Sequence, residues 1–217
     1  MAVHAVDYTR ICLSVGSLTF YNHNKVKGTF QMKKLLLIIL SAFVAFSTLF
    51  AAPASPVAKR FPAKLVNAKG QQVDSSKVLN GKMVAVYFSA SWCPPCRAFT
   101  PQLVKFYKAA AKKGNIEIVL VSSDKNAADM MKYMKKYNMP WYAIPHGDAK
   151  GKALMQELKV TGIPMLVVFD RNGRLITKNA RGDVASSGVK AVGKWQKSAK
   201  NTKSSKASKK VKKSGNN

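Results

Sequence analysis

Two cysteines three residues apart, Cys93 and Cys96, follow almost directly on the apolar run Met83-Val84-Ala85-Val86-Tyr87-Phe88 and enclose two consecutive prolines, Pro94 and Pro95. An unbroken apolar run bounded by a Gly81-Lys82 turn is the pattern of a strand buried on both faces. Proline is tolerated in the first turn of a helix, so Pro94 or Pro95 marks a helix start. Phe99, Leu103, Phe106 and Ala110 then recur at helical spacing. Pro101 is expected to kink this helix and Gly114 to end it. The pair thus sits where a buried strand passes into a helix.

The same reading extends along the chain. Lys64-Leu65-Val66 and Gln71-Gln72-Val73 flank the turn Asn67 to Gly70 and predict a short hairpin. Ile116 to Val121 is a second buried strand. Asp124 is a candidate cap for a helix that puts Met130, Met134 and Tyr137 on one face, as core filler. Asn138 to Pro145 reads as a loop. Asp148 can open a helix holding Leu154 and Leu158, broken by Gly162-Ile163-Pro164. Met165 to Phe169 and Arg174 to Lys178 form a hairpin around Asp170-Arg171-Asn172-Gly173. Val184, Val192 and Trp195 line one last helix. The order is a β-hairpin followed by β-α-β-α-α-β-β-α. This is an α/β chain with a mixed central sheet, helices on both faces, and parallel strands where a helix joins them.

The ends read differently. Met32 is followed by Lys33-Lys34, an apolar run from Leu35 to Phe46, and the small residues Ala51 to Ser55. That is the layout of a secretory signal peptide over 32–54, too short for a comfortable membrane span. Residues 1–31 show no periodicity and are read as a gene-model extension, and 55–63 as a linker. The domain is placed at 64–196 and a disordered Lys-rich tail at 197–217. The expected location is outside the cytoplasm, in a bacterial periplasm or the medium.

Net charge is +28. Ten lysines and no acidic residue follow Val184, and residues 1–51 account for only +4, so the middle of the chain is itself basic at +14. Such charge suits acidic partners, namely nucleic acid, anionic lipid or wall polymer, or else a solvated surface.

A thiol at a helix N-terminus is stabilised as thiolate by unpaired N–H groups and the macrodipole. Cys93 in that place can attack a disulfide, and Cys96, one turn on, can resolve the mixed disulfide. Zinc needs four ligands, and this region offers no second cysteine pair and only His146. A purely structural disulfide or a vestigial pair would also put two cysteines at this spacing. With Cys12 the only other cysteine, a stapled disulfide framework is excluded.

The segment Tyr87 to Arg97, with Trp92-Cys93-Pro94-Pro95-Cys96 at its centre, resembles the active-site signature of the tryparedoxin and nucleoredoxin branch of the thioredoxin superfamily. Phe99 to Leu103, Phe106-Tyr107, Val121 to Asp124, Met139-Pro140-Trp141 and Val160 to Pro164 continue the likeness. The resemblance implies a thioredoxin-like fold and a thiol–disulfide oxidoreductase that needs no cofactor beyond the Cys93–Cys96 disulfide, and no metal. It implies Cys93 as nucleophile and Cys96 as resolving thiol. Trp92, Pro94 and Pro95 then shape the docking surface, with Pro164 as a cis-proline facing the disulfide and the Ile163 backbone pairing with an extended substrate. Tyr87 stands where ordinary thioredoxins carry a buried acid, which leaves Asp124 as a candidate proton relay. The implied partners are protein or small-molecule disulfides and a membrane or soluble dithiol donor, with the protein a monomer. Reduction or isomerisation of disulfides is the expected activity. Thiol reduction for cytochrome c maturation is one alternative, and polyanion binding through the Lys-rich tail, with redox activity secondary, is another.

Overall fold

The computed structural model describes residues 55–112 and 115–201. The proposed signal peptide, most of the Lys-rich tail and Gly114 lie outside the described residues. The hairpin pairs β1 (Lys64–Val66) with β2 (Gln72–Asp74), and a short helix α1 (Ser75–Val78) follows. Then come β3 (Met83–Ser89), α2 (Pro94–Ala111), β4 (Ile116–Ser122), α3 (Ala127–Lys136), β5 (Tyr142–Ala143), α4 (Ala149–Glu157), β6 (Met165–Phe169), β7 (Leu175–Thr177) and α5 (Ala180–Ser187). A final helix, α6, covers 190–201.

One seven-stranded sheet runs β2-β1-β5-β4-β3-β6-β7. β3 pairs in parallel with β4 and antiparallel with β6, so the strand leading to the cysteines lies in the middle, and all its residues are buried. Period-2 alternation sends its side chains to two cores. Met83, Ala85 and Tyr87 join Phe99, Leu103, Phe106, Met130, Met134, Trp141 and Trp195 on one face. Val84, Val86 and Phe88 join Leu65, Leu79, Leu154, Leu158 and Phe169 on the other. Met130 and Met134 of α3 are therefore core residues, as their spacing predicts.

Several elements differ from the sequence expectation. Tyr142–Ala143 is a strand inside the expected loop. It bridges the hairpin to the central sheet by pairing antiparallel with β1 and parallel with β4. Two residues are too few to show periodicity. Val57 and Phe61, within the expected linker, are buried in the second core. The expected last helix is two helices. Gly188 separates them with φ of +51°, a conformation glycine adopts at little cost. α6 also runs to 201, past the boundary drawn at Gln196, because Ala191, Val192 and Trp195 anchor it on the first core. Helix α2 continues through Pro101.

Candidate functional site

β3 ends at Ser89 and the chain turns through Ser91 and Trp92 into α2, which starts at Pro94. Cys93 is the N-cap of that helix, and its Sγ accepts the Cys96 N–H at 3.3 Å. The role an Asp or Ser side chain usually fills is taken here by sulfur. Pro94 and Pro95 occupy the first two helical positions and carry no N–H, so the Cys96 N–H is the first donor the helix can offer. The cysteines are joined as a disulfide with Cα atoms 5.2 Å apart. Cys93 keeps 3% of its surface exposed and Cys96 none. Of the two, only Cys93 keeps any surface open to solvent.

Opposite the disulfide, the Ile163–Pro164 bond is cis, and the Ile163 carbonyl lies 3.7 Å from Cys93 Sγ. Pro164 is buried, Ile163 is half-buried against the Cys93/Cys96 cluster, and the rims of Pro94 and Pro95 are exposed. Trp92 is 57% exposed, yet its Nε1 donates to the Ser123 carbonyl at 3.0 Å, which fixes an apolar ring at the surface beside Cys93. The fold thus brings together Trp92, Cys93, Pro94, Pro95, Cys96, Ile163 and Pro164.

Asp124 has a different place from the one its sequence position suggests. Asn126 caps α3, with its Oδ1 accepting the Asp129 N–H at 2.9 Å. The buried Asp124 carboxylate accepts from the Ser91 N–H at 2.8 Å, the Ser91 hydroxyl at 2.6 Å and the Ser122 hydroxyl at 2.7 Å. It ties the turn before Trp92 to the end of β4. His146 lies behind it with Nε2 2.8 Å from the Asp124 carbonyl, and since a carbonyl only accepts, that nitrogen carries the proton.

Sequence reasoning passed over a buried chain of hydroxyls beneath the motif. Thr100 Oγ1 donates to the Cys96 carbonyl at 2.8 Å and lies 3.0 Å from Tyr87 Oη and 2.6 Å from Tyr133 Oη. Tyr133 Oη in turn lies 3.0 Å from Ser89 Oγ. Burial is the main cause that pushes the Tyr87 phenol well above its ordinary pKa of 10, so it stays neutral at any working pH. Where an acid would carry charge beneath the cysteines, this chain has uncharged hydroxyls. Ser89, Thr100 and Tyr133 read as ordinary strand or helix residues, and no spacing rule pairs them with Tyr87 across elements.

Among the described residues no cluster of three or more His, Cys, Asp or Glu side chains could hold a metal ion. The thioredoxin-like family model matches residues 80–175. The probable nucleoredoxin 1 of Arabidopsis thaliana is 43% identical over 128 residues, which cover 58% of this chain and 22% of that protein. The chain spans less than a third of the length of the curated relatives it matches. Solved structures of tryparedoxin II from C. fasciculata cover more of their own length. One is 42% identical with a TM-score of 0.56 over 62% of this chain and 94% of that one. Another, complexed with glutathionylspermidine, is 42% identical with a TM-score of 0.56 over 61% and 93%. Proteins of this family work through a redox-active disulfide rather than a bound cofactor. On its fold, its cysteine pair and these matches, the chain is a thiol–disulfide oxidoreductase that belongs to the thioredoxin superfamily, in the tryparedoxin and nucleoredoxin-like branch.

Proposed function

We propose that the protein reduces or isomerises disulfides outside the cytoplasm by a dithiol–disulfide cycle on Cys93 and Cys96. The observation that carries this is the asymmetry of the pair: Cys93 is the helix cap and keeps a small exposed surface, and Cys96 one turn on is fully buried. In the reduced protein the Cys93 thiolate, held by the Cys96 N–H and the helix dipole, attacks a substrate disulfide. A bond forms from Cys93 to one substrate sulfur, and the other leaves as thiolate. Cys96 loses its proton and attacks Cys93, which restores the internal disulfide and frees the second substrate thiol. Two electrons pass to the substrate, so an external dithiol must reduce the pair again. Trp92, Pro94 and Pro95 form the docking rim, and the Ile163 backbone offers an extended substrate segment a pairing edge. Asp124 serves the cycle by holding the Ser91–Trp92 turn. A relay role for its carboxylate would appear as an altered pH–rate profile in Asp124→Asn.

The export signal at 32–54 supports an extracytoplasmic site of action. N-terminal sequencing of the protein recovered from outside the cytoplasm should begin close after Ala51 or Ala54; a full-length product retained in the cytoplasm overturns that part. The reduction potential of the pair in glutathione and dithiothreitol buffers sets the direction of electron flow. A value near roughly −270 mV supports a reductase, and one near roughly −120 mV an oxidant.

A second reading is favoured by α6. Lys190, Lys194 and Lys197 are exposed on it opposite the buried Ala191, Val192 and Trp195, and they lead into the Lys-rich end of the chain. This presents a cationic stripe to a polyanion while leaving the redox motif free.

A further inference from the structure

A cleft of about 150 Å³ opens beside the active-site turn, between the first turn of α2 and the outer face of α3. Ser91 and Arg97 form the wall on the cysteine side, Lys132 and Lys136 the opposite wall, and Tyr133 and Asp129 also line it. Ser91 lies two residues before Cys93, and Arg97 immediately after Cys96. The described residues include no carboxylate within ion-pair distance of Arg97, Lys132 or Lys136. Asp129 is engaged at the start of α3, where its Oδ2 accepts from Asn126 Nδ2 at 2.9 Å. The cleft therefore holds three cations against one carboxylate.

Helix electrostatics explain only part of this. Lys136 stands in the last turn of α3, where a cation complements the negative end of the helix dipole. Arg97 stands in the first turn of α2, where the dipole is positive and a cation is disfavoured. Arg97 is exposed and directly follows Cys96 in the chain, and the helix dipole gives no reason for a cation there. A fork of five donors suits a carboxylate, which it can bind through two parallel hydrogen bonds.

We propose that this cleft selects disulfides flanked by carboxylates. The reading rests on the thiol–disulfide exchange described above. The chemistry of exchange is unchanged; Arg97, Lys132 and Lys136 hold the acidic flank while Cys93 attacks the adjacent sulfur. A carboxylate could come from an acidic segment of a disulfide-bonded protein or from a small acidic disulfide.

The test uses the reduced full-length protein and five oxidants: dithiodiglycolate, which is anionic; hydroxyethyl disulfide, neutral; cystamine, cationic; and a cystine peptide flanked by glutamates together with its glutamine counterpart. Second-order rate constants are followed by tryptophan fluorescence. The anionic probes should react faster than the neutral ones and cystamine slowest. The triple variant Arg97→Gln/Lys132→Gln/Lys136→Gln should cut the anionic-to-neutral ratio by about fivefold, the sum of several partly exposed pairs. A control variant, Lys69→Gln/Lys105→Gln/Lys108→Gln, removes the same charge from elsewhere on the surface and should keep the ratio. Equal loss in both variants assigns the preference to overall charge and overturns the cleft, as does a ratio near one in the native protein. A preference confined to the peptide assigns the cleft to protein substrates; one shared with dithiodiglycolate assigns it to the carboxylate as such. If the reduced protein exchanges with no disulfide, neutral ones included, the redox reading itself fails, and that result is distinct from loss of selectivity.

Discussion

In the proposed cycle a single atom at Cys93 has two tasks, as a helix cap and as a reacting sulfur. Because Pro94 and Pro95 offer no N–H, Cys96 supplies both the second sulfur and the hydrogen bond that stabilises the first. Cys93→Ser should abolish turnover in an insulin disulfide assay. Cys96→Ser should instead accumulate a mixed disulfide on Cys93, detectable as an added substrate mass on the intact protein. The reverse pattern would exchange the two roles. Asp124 acts as a positioning residue. Asp124→Asn turns a carboxylate that accepts three hydrogen bonds into an amide that must place its NH₂ against one of the donors. This should cost about 1–3 kcal/mol in urea unfolding.

The elements show how far a few side chains govern placement. α6 belongs to the fold because Trp195 is buried against Phe106, with ring centroids 5.8 Å apart, and donates through Nε1 to Asp183 at 2.8 Å. Lys194 reaches the same carboxylate at 2.6 Å. Burial works against the Asp183 anion, but these two donors outweigh it and hold its pKa below the ordinary 3.8. A carboxylate whose folded pKa is lowered contributes stability that is present above its unfolded value and is lost as pH falls through the folded one. The contact should therefore weaken below about pH 3.8, seen as a change in tryptophan emission that precedes global unfolding. Asp183→Asn should lack this acid-dependent step. Trp195→Ala should cost about 3–5 kcal/mol.

For the molecule as a whole, the structure moves the natural cut in the chain. Removing 197–217 would strip the last turn of α6, whereas removing 202–217 leaves every described element in place. The shorter truncation should retain disulfide turnover and thermal stability. If the Lys-rich end binds polyanions, the same truncation should weaken retention on heparin and flatten its steep dependence on salt. A redox defect in this truncation would tie the tail to catalysis.

Features that depend on local pattern could be read directly from the residues. The apolar run at 83–88, the prolines after Cys93, the Gly turns and the helical spacing of Phe99, Leu103 and Phe106 each act within a few residues, so strand, helix start and redox pair were legible. The cis bond before Pro164 and its position facing the disulfide were legible only through the family likeness. Packing settled what depends on residues far apart in the chain. It made Asp124 an anchor for Ser91 rather than a cap and set Thr100 and Tyr133 beneath Cys96. It also drew Val57 and Phe61 into the core and gathered Arg97, Lys132 and Lys136 round one cleft. In each case the partner lies on another element, and its distance is fixed only when the helices and strands pack around the shared sheet.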